Sequence, residues 1–358
     1  MPPFFVVQER QEDKAMKYHW NRSVGLLLAG ALLWGLGGCS NPEEVRRNAD
    51  GSVDRKAFFV TVLTGPTSGI YYPIGGAFSK VVGELGYKTS VAATGGTVEN
   101  INAMETDQGE LAIAMSDSVL QAYEGTGAYE GKEPDHDLRA LMGLWPNYCQ
   151  IVTTKNSGIV SFQDLKGKRV GVGAPNSGVE LNARMIFEAN GMSYDDCKVD
   201  YLSYGEAIDQ MKNGQCDAAF VTSGLGNATI KELAAQTEIS FIPVEGEALA
   251  RLIEKYPYFM EGTIPAETYG TTQSYTTAAV MNIMLVDKDL PEEVVYDLTR
   301  GIYENLDTIR ASHKTAENNI SLENALRGIQ IPLHGGAVRY YQEVGLKGLD
   351  QMRRAKDE

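Results

Sequence analysis

LTGPTSGIYYPIGGAF, from Leu63 to Phe78, and VAATGGTVENI, from Val91 to Ile101, share one grammar: the end of a β-prone run, a turn of small residues, and the opening of a helix. In the first stretch, Phe58 to Leu63 is apolar and β-prone, and Gly65 to Gly69 is turn chemistry. Pro73 suits a first helical turn, where its missing N–H costs nothing. In the second, Thr97 reads as an N-cap and Gly109 as a stop. Such turns leave the first amides of a helix without partners, and those amides, with the helix dipole, attract carboxylates or phosphates. Two of them from neighbouring units predict one anion site.

Outward from these stretches the same alternation continues. Strands are expected at Phe58 to Leu63, Lys88 to Ala93, Leu111 to Met115, Leu138 to Leu144, Gln150 to Thr154 and Arg169 to Val172. Others are expected at Val199 to Leu202, Ala218 to Val221, Ser240 to Ile242 and Ala278 to Val286. Between them Ile74, Phe78, Val81, Val82 and Leu85, then Val98, Ile101 and Met104, recur at helical spacing. Repeated strand–helix–strand units predict an α/β protein whose mainly parallel sheets are covered by helices on both faces. Turns at Thr64 to Tyr72, Thr94 to Thr97, Ser116 to Asp117, Gly173 to Gly178 and Thr222 to Gly224 all follow strand C-termini, the edge where open α/β sheets bind ligands. They fall in two chain segments joined through crossovers near Gln150 to Asn156 and Ala278 to Asp289, which predicts two lobes facing one cleft. Lobe 1 is expected from 57–150 plus 287–358 and lobe 2 from 151–286. Candidate ligand-binding residues on this edge are Thr64, Gly69, Tyr71, Tyr72, Thr94, Gly96, Thr97, Ser116, Asp117, Ser177, Gly178, Val179, Glu180 and Thr222, with Trp145 as a possible cleft wall. Bland readings stand beside these: Tyr71, Tyr72 and Trp145 as packed aromatics, Thr97 with Asn100 as a cap, and Glu180 with Arg184 as an i,i+4 surface pair.

The two opening stretches, with SDSVLQAYEG (Ser116 to Gly125), SFQDLKGKRVGVGAPNSGVELNAR (Ser161 to Arg184), YLSYGEA (Tyr201 to Ala207), DAAFVTSG (Asp217 to Gly224), TIPAETY (Thr263 to Tyr269) and IPLHGGAVRYYQE (Ile331 to Glu343), resemble the TAXI class of solute receptors. These serve tripartite ATP-independent periplasmic (TRAP) transporters, and the resemblance runs from about Phe58 to Gly348. It implies a two-lobe, type II periplasmic-binding-protein-like fold with the ligand cleft between lobes, and a TRAP-type membrane permease as partner. It also implies a small carboxylate ligand, with glutamate, glutamine or 2-oxoglutarate the first to try. Ser177 to Val179 matches the family's GAPxSG helix start. Pro66 and Tyr204 depart from the pattern, where glycine and phenylalanine are usual, so a ligand contact at Pro66 and a role for the Tyr204 hydroxyl are in doubt.

The first 38 residues read as a signal region. Lys17, His19 and Arg22 precede the apolar run Val24 to Leu36, too short to span a bilayer, and Leu36-Gly37-Gly38-Cys39 resembles a lipobox. Met16 is the expected start, Cys39 the expected lipidated N-terminus and 39–56 a tether, so the protein is expected to be exported and held at a membrane facing the periplasm or cell exterior. A net charge of −15, with no basic stripe, argues against nucleic acid. Cys149, Cys197 and Cys216 leave an odd count, with Cys197–Cys216 one possible disulfide. No metal or cofactor motif is present, and His136, His313 and His334 stand near no nucleophile signature, so no catalysis is expected. A receptor for an ABC importer, a metabolite-sensing subunit of a membrane kinase and a hydrolase remain the alternative readings.

Overall fold

The computed structural model describes residues 45–349. The expected signal region, the lipidation site Cys39 and the start of the tether lie outside the described residues. The strands are β1 (Phe59–Leu63), β2 (Lys88–Ala92), β3 (Leu111–Met115), β4 (Arg139–Thr154), β5 (Arg169–Gly171), β6 (Lys198–Asp200), β7 (Ala218–Ser223), β8 (Ile239–Phe241), β9 (Phe259–Ile264) and β10 (Tyr275–Val286). Helices α1 (Tyr71–Glu84), α2 (Thr97–Met104) and α3 (Ser116–Glu124) alternate with the first three strands. Then come α4 (Gly178–Ala189), α5 (Tyr204–Lys212), α6 (Ala228–Gln236), α7 (Gly246–Lys255) and α8 (Ala266–Tyr269), and finally α9 (Glu292–Glu304), α10 (Leu306–Arg310), α11 (Lys314–Asn319) and α12 (Gly335–Glu343).

Two strands belong to both lobes. The first half of β4 pairs antiparallel with β10, whereas Tyr148 to Thr153 pair with β7 and Val152 to Thr154 with β8. In β10, Asn282 to Val286 pair with β3 and Tyr275 to Val280 with β9. Lobe 1 therefore reads β2-β1-β3-β10-β4 and lobe 2 reads β6-β5-β7-β4-β8, the same order with each lobe borrowing one crossing strand. The β2-β1-β3 and β6-β5-β7 triplets are parallel, and the crossing strands add the antiparallel pairs. This is the two-lobe α/β arrangement of the type II periplasmic binding proteins.

Each sheet is covered on both faces. In lobe 1, Ile74 and Phe78 of α1 pack with Leu298 and Ile302 of α9 and Tyr341 of α12, while Ile101 of α2 and Val119 of α3 cover the other side. In lobe 2, Ile186 and Phe187 of α4 pack with Leu252 of α7, opposite Ile208 of α5 and Ile230 of α6. Fully burying such a side chain is worth about 1.5–3 kcal/mol, so the two cores hold each lobe together independently of the cleft.

Two expectations change, and one pairing left open is decided. Leu138 to Leu144 and Gln150 to Thr154 form one strand, β4, with Pro146 inside it at a register shift opposite Met281, where a missing N–H is tolerated. Residues 45–56, expected as tether, fold back on lobe 1: Arg47 pairs with Glu293 (2.5 Å), and Arg55 pairs with Asp297 (2.7 Å) while donating to the Leu85 carbonyl (2.9 Å). Cys149, Cys197 and Cys216 are all free thiols, so the possible Cys197–Cys216 disulfide is not formed. Among the described residues no helix is long and apolar enough to cross a membrane.

Candidate functional site

The strand-end turns converge on a cavity between the lobes of only about 40 Å³, well below the roughly 300–1,000 Å³ usual for small-molecule sites, so the cleft is nearly shut and the lobes must part to admit a ligand. Helices α1, α2 and α4 open onto it at Tyr71, Thr97 and Gly178. At α4 the Ser177 hydroxyl is already engaged, accepting from the Glu180 N–H (3.3 Å) and donating to the Ala174 carbonyl (2.7 Å). The N–H groups of Gly178 and Val179 have no acceptor among the described residues, so they are the donors left for a guest. Lobe contact is close here. A Cβ at Gly178 would lie 2.3 Å from Met115 Cε and 3.1 Å from Thr97 Cβ, and the Glu99 N–H donates across the gap to the Asn176 carbonyl (3.2 Å). Gly96, the residue before α2, has a φ of 114°, which a side chain strains.

Gly69, Tyr71, Gly96, Thr97, Ser177, Gly178, Val179 and Thr222 all line this cavity. Thr222 is 1% exposed, and among the described residues its Oγ1 has no well-formed hydrogen bond, only the weak Cys149 thiol nearby, which is costly unless something else satisfies it. The remaining candidates do not line it. Thr64 donates to the Ala92 carbonyl (2.7 Å) and Thr94 to Asn100 Oδ1 (2.7 Å). Tyr72 is 38% exposed, because consecutive residues of a helix point about 100° apart and Tyr71 takes the cleft side. Ser116 is buried at the start of α3, and Asp117 accepts from Asn182 Nδ2 (2.7 Å). Glu180 lies 2.6 Å from Arg184 Nε, an ion pair without hydrogen-bond angles.

Trp145 is fully buried behind Tyr71, edge to face at 5.8 Å, and its Nε1 donates to Asn147 Oδ1 (3.1 Å). The Tyr71 hydroxyl donates to Asn282 Oδ1, and Asn282 Nδ2 donates to the Trp145 carbonyl (2.8 Å). Tyr71 thus joins the cavity to both crossing strands, since Asn147 sits in β4 and Asn282 in β10. Burial pushes its phenol well above the ordinary range, so it stays a neutral donor.

Thr97 is not the cap it resembles: Gly96 is the N-cap, and the Thr97 hydroxyl accepts from the Met115 N–H (3.2 Å). Asn100 bridges β1 and β3 by donating to the carbonyls of Thr64 (2.6 Å) and Ile113 (2.8 Å). Sequence reasoning left out Gly65, Ile70, Met115, Ala174, Ser203 and Ser223, which also line the cavity and flank the strand-end turns. Pro66 lines it too, contributing ring and carbonyl but no donor. The Tyr204 hydroxyl donates to the Thr222 carbonyl (2.6 Å), so it braces the site. The segment after Tyr256, whose sequence has no clear period, supplies β9 and Tyr269. The Tyr269 hydroxyl accepts from the N–H groups of Gly226 (2.9 Å) and Asn227 (3.0 Å), holding the loop after β7. His334 accepts from the Gly336 N–H (3.1 Å) as a helix cap, and burial lowers its basicity.

Among the described residues, none that lines the cavity has a charged side chain. Its polarity comes from amides, hydroxyls and helix dipoles, an arrangement suited to holding an anion without a fixed counter-charge.

Two solved structures are similar at low identity. One is a protein of Bordetella bronchiseptica RB50, 15% identical over 79% of this chain and 88% of that one with a TM-score of 0.47. The other is PhnD1 of Prochlorococcus marinus (MIT 9301) in complex with methylphosphonate, 13% identical over 78% and 96% with a TM-score of 0.46. The sequence pattern of the NMT1-like family matches residues 62–345, which includes both crossing strands and every cavity-lining turn. The chain belongs to the NMT1-like family.

Proposed function

We propose that this protein is an extracytoplasmic solute receptor that closes its two lobes on a small carboxylate-bearing molecule and delivers it to a membrane permease. The observation that carries the reading is the convergence of α1, α2 and α4 N-termini on a cavity between lobes, beside the buried, unpartnered Thr222 hydroxyl. Free amides of Gly178 and Val179 bind the carboxylate, Thr222 Oγ1 takes a further polar group, and Tyr71 and Met115 supply apolar walls. The residues proposed to hold or frame the ligand are those of the strand-end edge, with Tyr72, Thr94 and Trp145 acting from outside the cavity. The resemblance to TAXI receptors supports a TRAP-type secondary transporter as the partner, with Cys39 as the lipid anchor.

The test is a melting-temperature screen of refolded protein against amino acids, 2-oxo acids and dicarboxylates. A true ligand at about a hundred times its Kd stabilises the native state by roughly 2.7 kcal/mol, read as a shift of a few degrees. Gly178→Ala, which drives a methyl towards Met115, is expected to abolish the shift, with any change in the unliganded melt read separately as the cost of the clash. A panel with no shift, or a shift that survives Gly178→Ala unchanged, overturns this site.

A further inference from the structure

Asp117, at the start of α3 in lobe 1, is 0% exposed, and across the cleft it accepts from Asn182 Nδ2 (2.7 Å), on α4 in lobe 2, likewise 0% exposed. The contact exists only while the lobes touch. Around it hydrogen bonding is incomplete: Asp117 Oδ1 and Asn182 Oδ1 are buried acceptors without a well-formed hydrogen bond, and the Ser118 hydroxyl beside them makes none of good geometry either. A desolvated carboxylate with one of its oxygens unpartnered is expensive. When the lobes part, water reaches it and the expense disappears.

We propose that closing the lobes takes up a proton on Asp117, so that the cleft closes more readily on the acid side of neutrality. The proton makes Oδ1 a donor and removes the buried charge in one step, with solvent as its source. Burial pushes the Asp117 carboxyl up to about 6, opposed only partly by the Ser118 amide, by Asn182, by its own amide and by the Ser118 hydroxyl. The groups whose charge bears on it do not supply a cation: the hydroxyls of Tyr71, Tyr129 and Tyr258 and the Cys149 thiol are neutral at these pH values, all raised by burial. On α4, Glu180 is engaged with Arg184, and on α2 Glu99 accepts from the Gly95 N–H (2.7 Å).

The sign follows from linkage. In the open form Asp117 has an ordinary carboxyl, so between about pH 4 and 6 the closed form binds the extra proton and falling pH favours closure. Above that window both forms are ionised and closure bears the full desolvation cost. Across it the open–closed equilibrium is expected to move on the order of a hundredfold.

The inference rests on the proposed motion of the lobes and not on what the cleft holds, so its test needs no ligand. In protein labelled with ¹³C at aspartate carboxyls, the Asp117 resonance is assigned by its loss in Asp117→Asn and followed from pH 4 to 8. Scattering from the same samples reads the radius of gyration. The expected result is a midpoint well above the other aspartates, a smaller radius on its acid side, and no such change in Asp117→Asn, which keeps the uncharged shape. Asn182→Ala, which removes the donor supplied by the other lobe, is expected to raise the midpoint further. A midpoint at the ordinary aspartate value, or a radius that responds equally in Asp117→Asn, overturns the proposal. A high midpoint with a radius constant at every pH also sinks the linkage, and it counts against moving lobes while leaving the binding site untouched.

Discussion

Thr222 and Asn100 are both buried polar residues of the strand-end edge, yet they differ in what their atoms meet. Asn100 is satisfied within the protein, donating to Thr64 and Ile113 and accepting from Thr94. Its replacement by alanine strands two buried carbonyls, and the expected cost is about 2–3 kcal/mol of stability in denaturant titrations. Thr222 Oγ1 has only the weak Cys149 thiol beside it and no well-formed hydrogen bond among the described residues. Thr222→Val is therefore expected to leave the unliganded stability unchanged or slightly raised, while weakening a confirmed ligand by about 1 kcal/mol, or roughly fivefold, in calorimetry. Equal losses of stability in both variants would show Thr222 to be structural.

At the scale of elements, the neutral lining decides which carboxylates fit. An amino acid brings an ammonium group, and the acidic residues near the strand-end turns are engaged elsewhere: Glu99 on Gly95, Asp117 on Asn182, and Glu180 on Arg184. Three helix N-termini favour negative charge and penalise positive charge. Of the compounds to be tried, 2-oxoglutarate is expected to bind more than tenfold tighter than glutamate, measured by competition in one calorimetric series. Tighter binding of glutamate would mean that a carboxylate turns into the cleft when it is occupied.

For the whole molecule, β4 and β10 are the mechanical link. Both cross between lobes, and the buried amides of Asn147 and Asn282 tie them to Tyr71 at the cavity wall. Ligand is expected to shift the protein towards the closed form, lowering its radius of gyration in solution scattering, and identical curves with and without a confirmed ligand would exclude a closing cleft. The anchor is tested separately by mass spectrometry of protein from its native membrane, with a lipid-modified Cys39 as the expected first residue. Cys39→Ser is expected to release the protein and leave binding intact. A mature chain that begins elsewhere removes the anchor from the reading.

The alternation of β-prone runs with 3.6-period helices determined the α/β class and the order of elements, because those signals are local. The same holds for the turns at Gly69, Gly96 and Gly178, where small residues follow strand ends, so the edge that lines the cavity was legible in the sequence alone. Pro146 was legible only as a break: whether a proline ends a strand or sits in its bulge depends on the partner strand, here Met281 of β10. Tyr269 and β9 were hidden for a similar reason, since an aromatic segment without clear period acquires its strand from β10. Which of two adjacent tyrosines faces the cavity depended on the residue at which α1 begins. That Asp117 lies against Asn182, and Gly178 against Met115, was decided only when two lobes distant in sequence packed together. Long-range contact chooses among residues that local sequence leaves equivalent, and in this protein those choices made the cleft uncharged.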